Sequence, residues 1–473
     1  MAVSESGVRG DTGSGPSTVT VVQEPLGPDV LQWRPMRAVV RSRWYPGVIQ
    51  WLVLAGFVLV GYQLIAGPAA AHDNLGTALM WILWWPIIPI TFVLFGRLWC
   101  AVCPFATIHD WVQRLVGLER SAPAFLKKYG IWIIDAIFII ITWADHVFGI
   151  VESPWGSGVL LLLLTTSVVV SAAFLQRRAF CRYLCFLGGL SANYSQAGMV
   201  TLRAKTDVCR TCKARAACFN GTDTVPPCPL SSFPRTMDSS ADCNLCARCV
   251  KSCPNDAITI TVRPPTRELW FIRNPRIEVS FLAMAIMGIV LVQNLAMLEV
   301  WNDFLAWIGS VVGTTNYVAV FTIAFAMVVA LPVGLLVVTS LAASSRGTDS
   351  IWKNFARFGY ALIPLDIAAH MAHNLFHLLA EGKAVVFTAL PLLGQAVPDE
   401  SAALAGPGLI QILQFALLAL GAGASAWCAF RLAKIRYDRP VTRRRVLAPY
   451  LVLISVLALV NVVLFLQPMT HRM

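Results

Sequence analysis

Nine apolar runs, each long enough to cross a bilayer as a helix, constrain this chain before any other feature: Val48–Ala66, Thr77–Phe95, Ile131–Ile150, Gly158–Gln176, Val279–Leu298, Tyr317–Thr339, Phe358–Ala380, Leu409–Phe430 and Leu447–Leu466. In hydrocarbon every backbone N–H and C=O must be satisfied within its own segment, so these runs predict helices and exclude a soluble fold. Pro86, Pro89, Pro332 and Pro364 lie inside them, which a packed bundle tolerates. The expected fold is an α-helical polytopic membrane protein with a small α+β domain inserted between the fourth and fifth spans.

The formal charge of +12 would suit nucleic acid if the cations were clustered on a soluble face. They are not. With alternate loops on opposite sides, all of the 37 Lys and Arg residues except Lys383 and Arg472 fall on the side of the N-terminus. That is the positive-inside bias, and it predicts a multi-pass plasma-membrane protein with a cytoplasmic N-terminus and central loop. Nucleic acid is not an expected partner. The first 44 residues are expected to form a disordered tail, and the first span reads as a signal anchor, because its apolar run is too long and too far from Met1 for a cleaved leader.

Twelve of the 13 cysteines lie on the expected cytoplasmic side, where thiolates bind metal more often than they pair as disulfides. Cys243-x-x-Cys246-x-x-Cys249-x-x-x-Cys253-Pro254 is the bacterial ferredoxin run, in which three thiolates wrap one iron–sulfur cubane and the fourth turns to a second. Just upstream stand Cys209-x-x-Cys212, Cys218 and Cys228-Pro229. Crossing the fourth ligands gives one [4Fe–4S] cluster on Cys228, Cys243, Cys246 and Cys249, and another on Cys209, Cys212, Cys218 and Cys253. A pair of zinc ribbons is the plainer alternative, but zinc knuckles use two Cys-x-x-Cys pairs instead of three steps of three. The ferredoxin-type domain is bounded at 200–265, between a four-helix membrane region (45–199) and a five-helix one (266–473). Asp256–Val262 has strand character.

Four further cysteines follow spans. Cys100-x-x-Cys103-Pro104 comes after the second span and Cys181-x-x-x-Cys185 after the fourth, each preceded by Arg. The first four spans therefore read as a duplicated two-helix unit, whose four thiols can meet as one further metal or iron–sulfur site, with the arginines favouring thiolate; two cysteine pairs that only pack are the alternative. After Cys103, the apolar Ile108, Trp111, Val112, Leu115 and Val116 recur at helical spacing and predict an amphipathic helix lying on the membrane surface. Cys428, in the eighth span, is expected to be a small core residue.

In the seventh span Asp366, His370, His373 and His377 fall within a narrow arc bordered by Asn374, and intramembrane polar groups usually mark a pathway or cofactor. The stripe suits haem b ligation, a quinol site or copper; an internally bonded polar seam is the alternative. Asp145, His146, His72 and Asp73 are expected at a similar depth.

These motifs resemble the membrane-bound polyferredoxins of the NapH, NosR and CcoG type, found with periplasmic nitrate reductase, nitrous oxide reductase and cytochrome oxidase maturation. The resemblance covers roughly residues 45–265. It implies electron transfer between a quinone pool or cytoplasmic donor and a partner redox protein, and in some members copper chemistry at the cysteines beside the membrane. Two departures stand out: one residue fewer separates Cys100 from Cys103 than in the family's Cys-x-x-x-Cys-Pro motif, and Phe186 replaces the proline after Cys185. The expected function is membrane electron transfer; a copper-reducing maturation factor and a redox-sensing transporter or scaffold are the alternatives.

Overall fold

The computed structural model describes residues 26–214 and 217–467. Eight helices among them are long and apolar enough to span a membrane, and Ile351–Glu381 with Ala384–Leu393 makes a ninth that bends by 55°. The bend falls where Gly382 and Lys383 interrupt the apolar run. The nine match the nine sequence runs in order.

Ile277–Ala296, the fifth span, is the hub of the second half. Its apolar window is 78% buried, against 11% for Gly47–Ala66, which faces outward over most of its surface. A helix apolar on all sides belongs inside a bundle, and its small Gly288 lets the sixth span approach so closely that a Cβ there would meet the Val329 backbone at 2.6 Å. In the second span the prolines act as expected. Pro86 and Pro89 cannot donate, and a π-helical stretch at Ala78–Trp84 absorbs the mismatch.

Gly96 ends that helix with φ +60°, a left-handed value that favours glycine; a Cβ there would lie 2.8 Å from the Val200 carbonyl oxygen. The chain then turns back. Trp99 stacks near Trp84 at 5.6 Å, and the Pro104–Val116 helix runs lengthwise beside the first span, Phe105 against Phe57 and Trp111 against Trp51 at 5.4 and 5.2 Å. This corrects the expected surface helix: its apolar Leu115 and Val116 do face outward, but Phe105, Ala106, Thr107 and His109 are buried, so both faces are used and the helix is inserted alongside its neighbours.

The inserted domain rests on two antiparallel strands, β1 (Val200–Ala204) and β2 (Ile258–Val262), with Leu202 opposite Ile260. The N-terminal segment completes it. Val262 N donates to the Pro28 carbonyl at 3.1 Å, Ile260 N to the Asp29 carboxylate at 3.2 Å, and the helix Arg34–Arg41 pairs Arg37 and Arg41 with Asp256. The expectation of a disordered tail up to residue 44 therefore fails from residue 26 onward, because Asp29 and the two arginines find partners far along the chain; residues 1–25 lie outside the described residues.

Candidate thiolate sites and the polar stripe

The twelve cysteines other than Cys428 lie in three neighbourhoods, and all 13 cysteines are free of disulfides. Burial pushes the Cys243 thiol up to about 12, with Cys246 and Cys228 adding to the rise, and Cys249 is raised by burial and by Cys243, Cys246, Cys228 and Cys218. In the second set, burial and then Cys253 raise Cys209, while burial followed by Cys253, Cys209 and Cys212 raises Cys218 to about 11. Crowded thiols of this kind are costly to ionise unless a positive centre sits among them.

Local geometry suits an iron–sulfur group. Leu245 and Ala247 adopt left-handed φ of 57° and 59°, which curls the loop so that Cys243, Cys246 and Cys249 line one small cavity together with Cys228. Backbone N–H groups point at sulfur: Leu245 N at Cys243 and Ala257 N at Cys253, both at 3.4 Å, and Asn255 Nδ2 reaches Cys212 at 3.2 Å. Among the described residues no three His, Cys, Asp or Glu side chains converge tightly enough for one metal ion. Four corner ligands of a cubane stand farther apart than four ligands of a single ion.

The third set joins the two turns of the duplicated unit. Cys185 has the thiols of Cys181, Cys103 and Cys100 as neighbours, and Cys103 and Cys185 share one buried core. Each is the N-cap of a short helix, Pro104–Val116 and Phe186–Ser195, with Gly188 N donating to Cys185 Sγ at 3.3 Å. Both turns lie deep. In the first turns after these caps, Phe105 and Phe186 pack on Phe57 and Phe138, halfway along the first and third spans. As expected, Arg178 and Arg97 oppose the rise that burial imposes on the Cys181 thiol, and both also act structurally. Arg178 grips both Asp110 oxygens at 3.0 and 2.9 Å and the Cys100 carbonyl at 3.0 Å, and Arg97 donates to the Ala241 carbonyl, so both order backbone around the cysteines.

Asp110 and Arg248, which the sequence reading passed over, tie this set to the first ferredoxin set. Arg248, between Cys246 and Cys249, meets Asp110 at 2.6 Å; Asn244 Nδ2 reaches the Cys100 carbonyl at 3.4 Å; and Cys246 packs on Ala101 and Val102. Arg248 carried a signal in its position inside the motif. Asp110 carried none.

In the second half Asp366, His370, His373 and His377 are all at most 2% exposed and continue along one helix face. Tyr194, next to the third thiol set in sequence, meets His370 Nδ1 at 2.9 Å; Asn294 meets His373 Nδ1 at 2.7 Å; Glu381 lies 3.5 Å from His377. His146 bonds the Thr142 carbonyl, and His72 and Asp73 pair with each other at the surface. Cys428 is fully buried and accepts from Trp270 Nε1 at 3.2 Å.

The family model of a 4Fe-4S binding domain matches residues 77–123 and 157–200. Each segment holds one turn of the third set, Cys100 with Cys103 and Cys181 with Cys185. Two curated relatives from Escherichia coli (strain K12) are similar over this half: "Ferredoxin-type protein NapH", 28% identical over 37% of this chain and 66% of its own length, and "Putative electron transport protein YccM", 24% identical over 46% and 65%. The chain thus spans just under two thirds of each. No solved structure matches it. With its membrane-length helices and its two 4Fe-4S segments, the chain is similar to NapH-like ferredoxin-type electron transport proteins of the membrane.

Proposed function

We propose that the chain is a membrane electron-transfer protein whose three sets of four thiolates each hold a [4Fe–4S] cluster, linked in series from the inserted domain into the membrane. The observation that carries this reading is the seating of the Cys243–Cys249 loop on the Cys100–Cys103 turn through Asn244, Cys246 and the Arg248–Asp110–Arg178 bridge. Such clusters supply one-electron carriers; the protein supplies ligands, burial and a fixed separation. The positive-inside distribution supports a cytoplasmic N-terminus and inserted domain.

The membrane partner is a quinone. An apolar cavity of about 380 Å³ reaches from Cys103 and Trp99 to Asp145 and Val151, which suits a ring at the thiolate end and a prenyl tail beyond. Trp85 and Gln293 line it, and behind them stand His370, 6.1 Å from the Trp85 ring, and the Asn294–His373 pair. The stripe then serves the quinone's protons, while haem b is its competing use.

Iron and acid-labile sulfide in anaerobically purified protein test the reading. About twelve of each are expected, since a cubane contributes four, and Cys103→Ser or Cys185→Ser should each remove about four. A content of about eight, unchanged by either substitution, would leave only the two ferredoxin clusters. A Soret band lost with His370→Ala would reassign the stripe to haem.

A further inference from the structure

A second cavity, unlike the apolar one, is open and strongly basic. It encloses about 860 Å³ between the start of the third span, the Phe186–Ser195 helix, the loop around residues 230–242 and the start of the fifth span, and it extends to Cys181. Arg97, Lys127, Lys128, Arg177, Arg182 and Arg276 line it. Asp238, Asp242 and Glu278 also line it, yet among the described residues none of the six cations forms an ion pair with any carboxylate. The contrast with the rest of this face is sharp. Arg178 and Arg248 share Asp110, and Arg203 and Arg263 share Glu268.

A positive-inside bias explains cations at the rim of a span, but Arg97 is 5% exposed and keeps its Nε without a partner, as Arg177 keeps one of its terminal nitrogens. Buried guanidinium groups left short of acceptors are costly unless a ligand supplies them. Part of the lining is apolar. Gly188, Gly189, Ala192, Ile131 and Leu282 contribute to it, and Phe219, with the Arg177 guanidinium 4.3 Å from its ring centroid, stands beside Phe233.

We propose that this cleft binds an organic phosphate, with the phosphate held by the arginines and the apolar or planar part lying against the apolar part of the lining. Guanidinium matches phosphate in bidentate geometry, and a cavity of this size accommodates a nucleotide or a phospholipid headgroup with its glycerol. The site stands apart from the quinone cavity and does not depend on the electron-transfer reading. Two sources share its chemistry: a soluble flavin nucleotide, or an anionic lipid reaching in between the third and fifth spans.

Full-length protein in phosphatidylcholine nanodiscs is titrated with flavin mononucleotide, and in parallel the protein is examined by native mass spectrometry after exchange into discs containing phosphatidylglycerol. Binding of either probe, weakened about tenfold or more in Arg182→Ala/Arg276→Ala, is expected. Flavin binding identifies a soluble ligand and retained phosphatidylglycerol a lipid. Arg445→Ala, a cation remote from the cleft, should leave binding unchanged, and iron content reports that each variant is folded. Failure of both probes to bind, or equal weakening in Arg445→Ala, would overturn the proposal.

Discussion

Arg178 spends its guanidinium on three acceptors at once, two on Asp110 and one on the Cys100 carbonyl, and is itself 1% exposed. Removing one partner of such a buried pair leaves the other charge stranded, so Arg178→Met should cost about 3–5 kcal/mol. The loss is expected as a lowered thermal-unfolding midpoint in detergent. Because Asp110 also holds Arg248, the same substitution should perturb the magnetic resonance signal of the cluster proposed at Cys243–Cys249, although Arg178 lies far from that motif in sequence. Asp110→Asn should produce the same spectral change, and effects of the two substitutions should be far from additive, as for residues in one network.

Between β2 and the fifth span lies a short helical turn, Arg267–Trp270, whose Glu268 is fully buried and accepts from Arg203, Arg263, Ser239, Ser240 and the Ser240 backbone. The turn thereby fixes the inserted domain to the bundle. Although burial alone would raise its carboxyl, Arg263 and Arg203 outweigh that and hold it below the usual glutamate value. A depressed carboxylate stabilises above its unfolded value, about 4.3, and the contribution is lost as pH falls through the lower folded value. Glu268→Gln should therefore destabilise by several kcal/mol at pH 7. Measured by denaturant titration, the gap between wild type and variant should hold down to about pH 5 and narrow below about pH 4.

Across the molecule, opposite ends of the nine spans differ in charge, and the fold itself is compatible with either insertion. Reporter fusions after Asp238 and Arg439 should behave as cytoplasmic, and fusions after Ser153 and Pro398 as extracytoplasmic. An extracytoplasmic signal at Asp238 would put the thiol sets in an oxidising compartment and remove the cytoplasmic end from the proposed chain.

Span number and the small inserted domain were legible in the sequence, because hydrophobic length and cysteine spacing act locally and survive without tertiary knowledge. The depth of Cys103 and Cys185 was not. It depends on Gly96 turning the chain back and on Phe105 and Phe186 packing against Phe57 and Phe138, contacts that no periodicity encodes. Nor could spacing foresee that Arg178 would turn to Asp110, that Tyr194 would meet His370, or that Asp29 would join β2. The sequence by itself determined which groups must leave water and which thiols repeat. Only the tertiary structure decided which of them meet, since a polar side chain buried in a bundle takes whatever partner the packing of distant helices brings within reach.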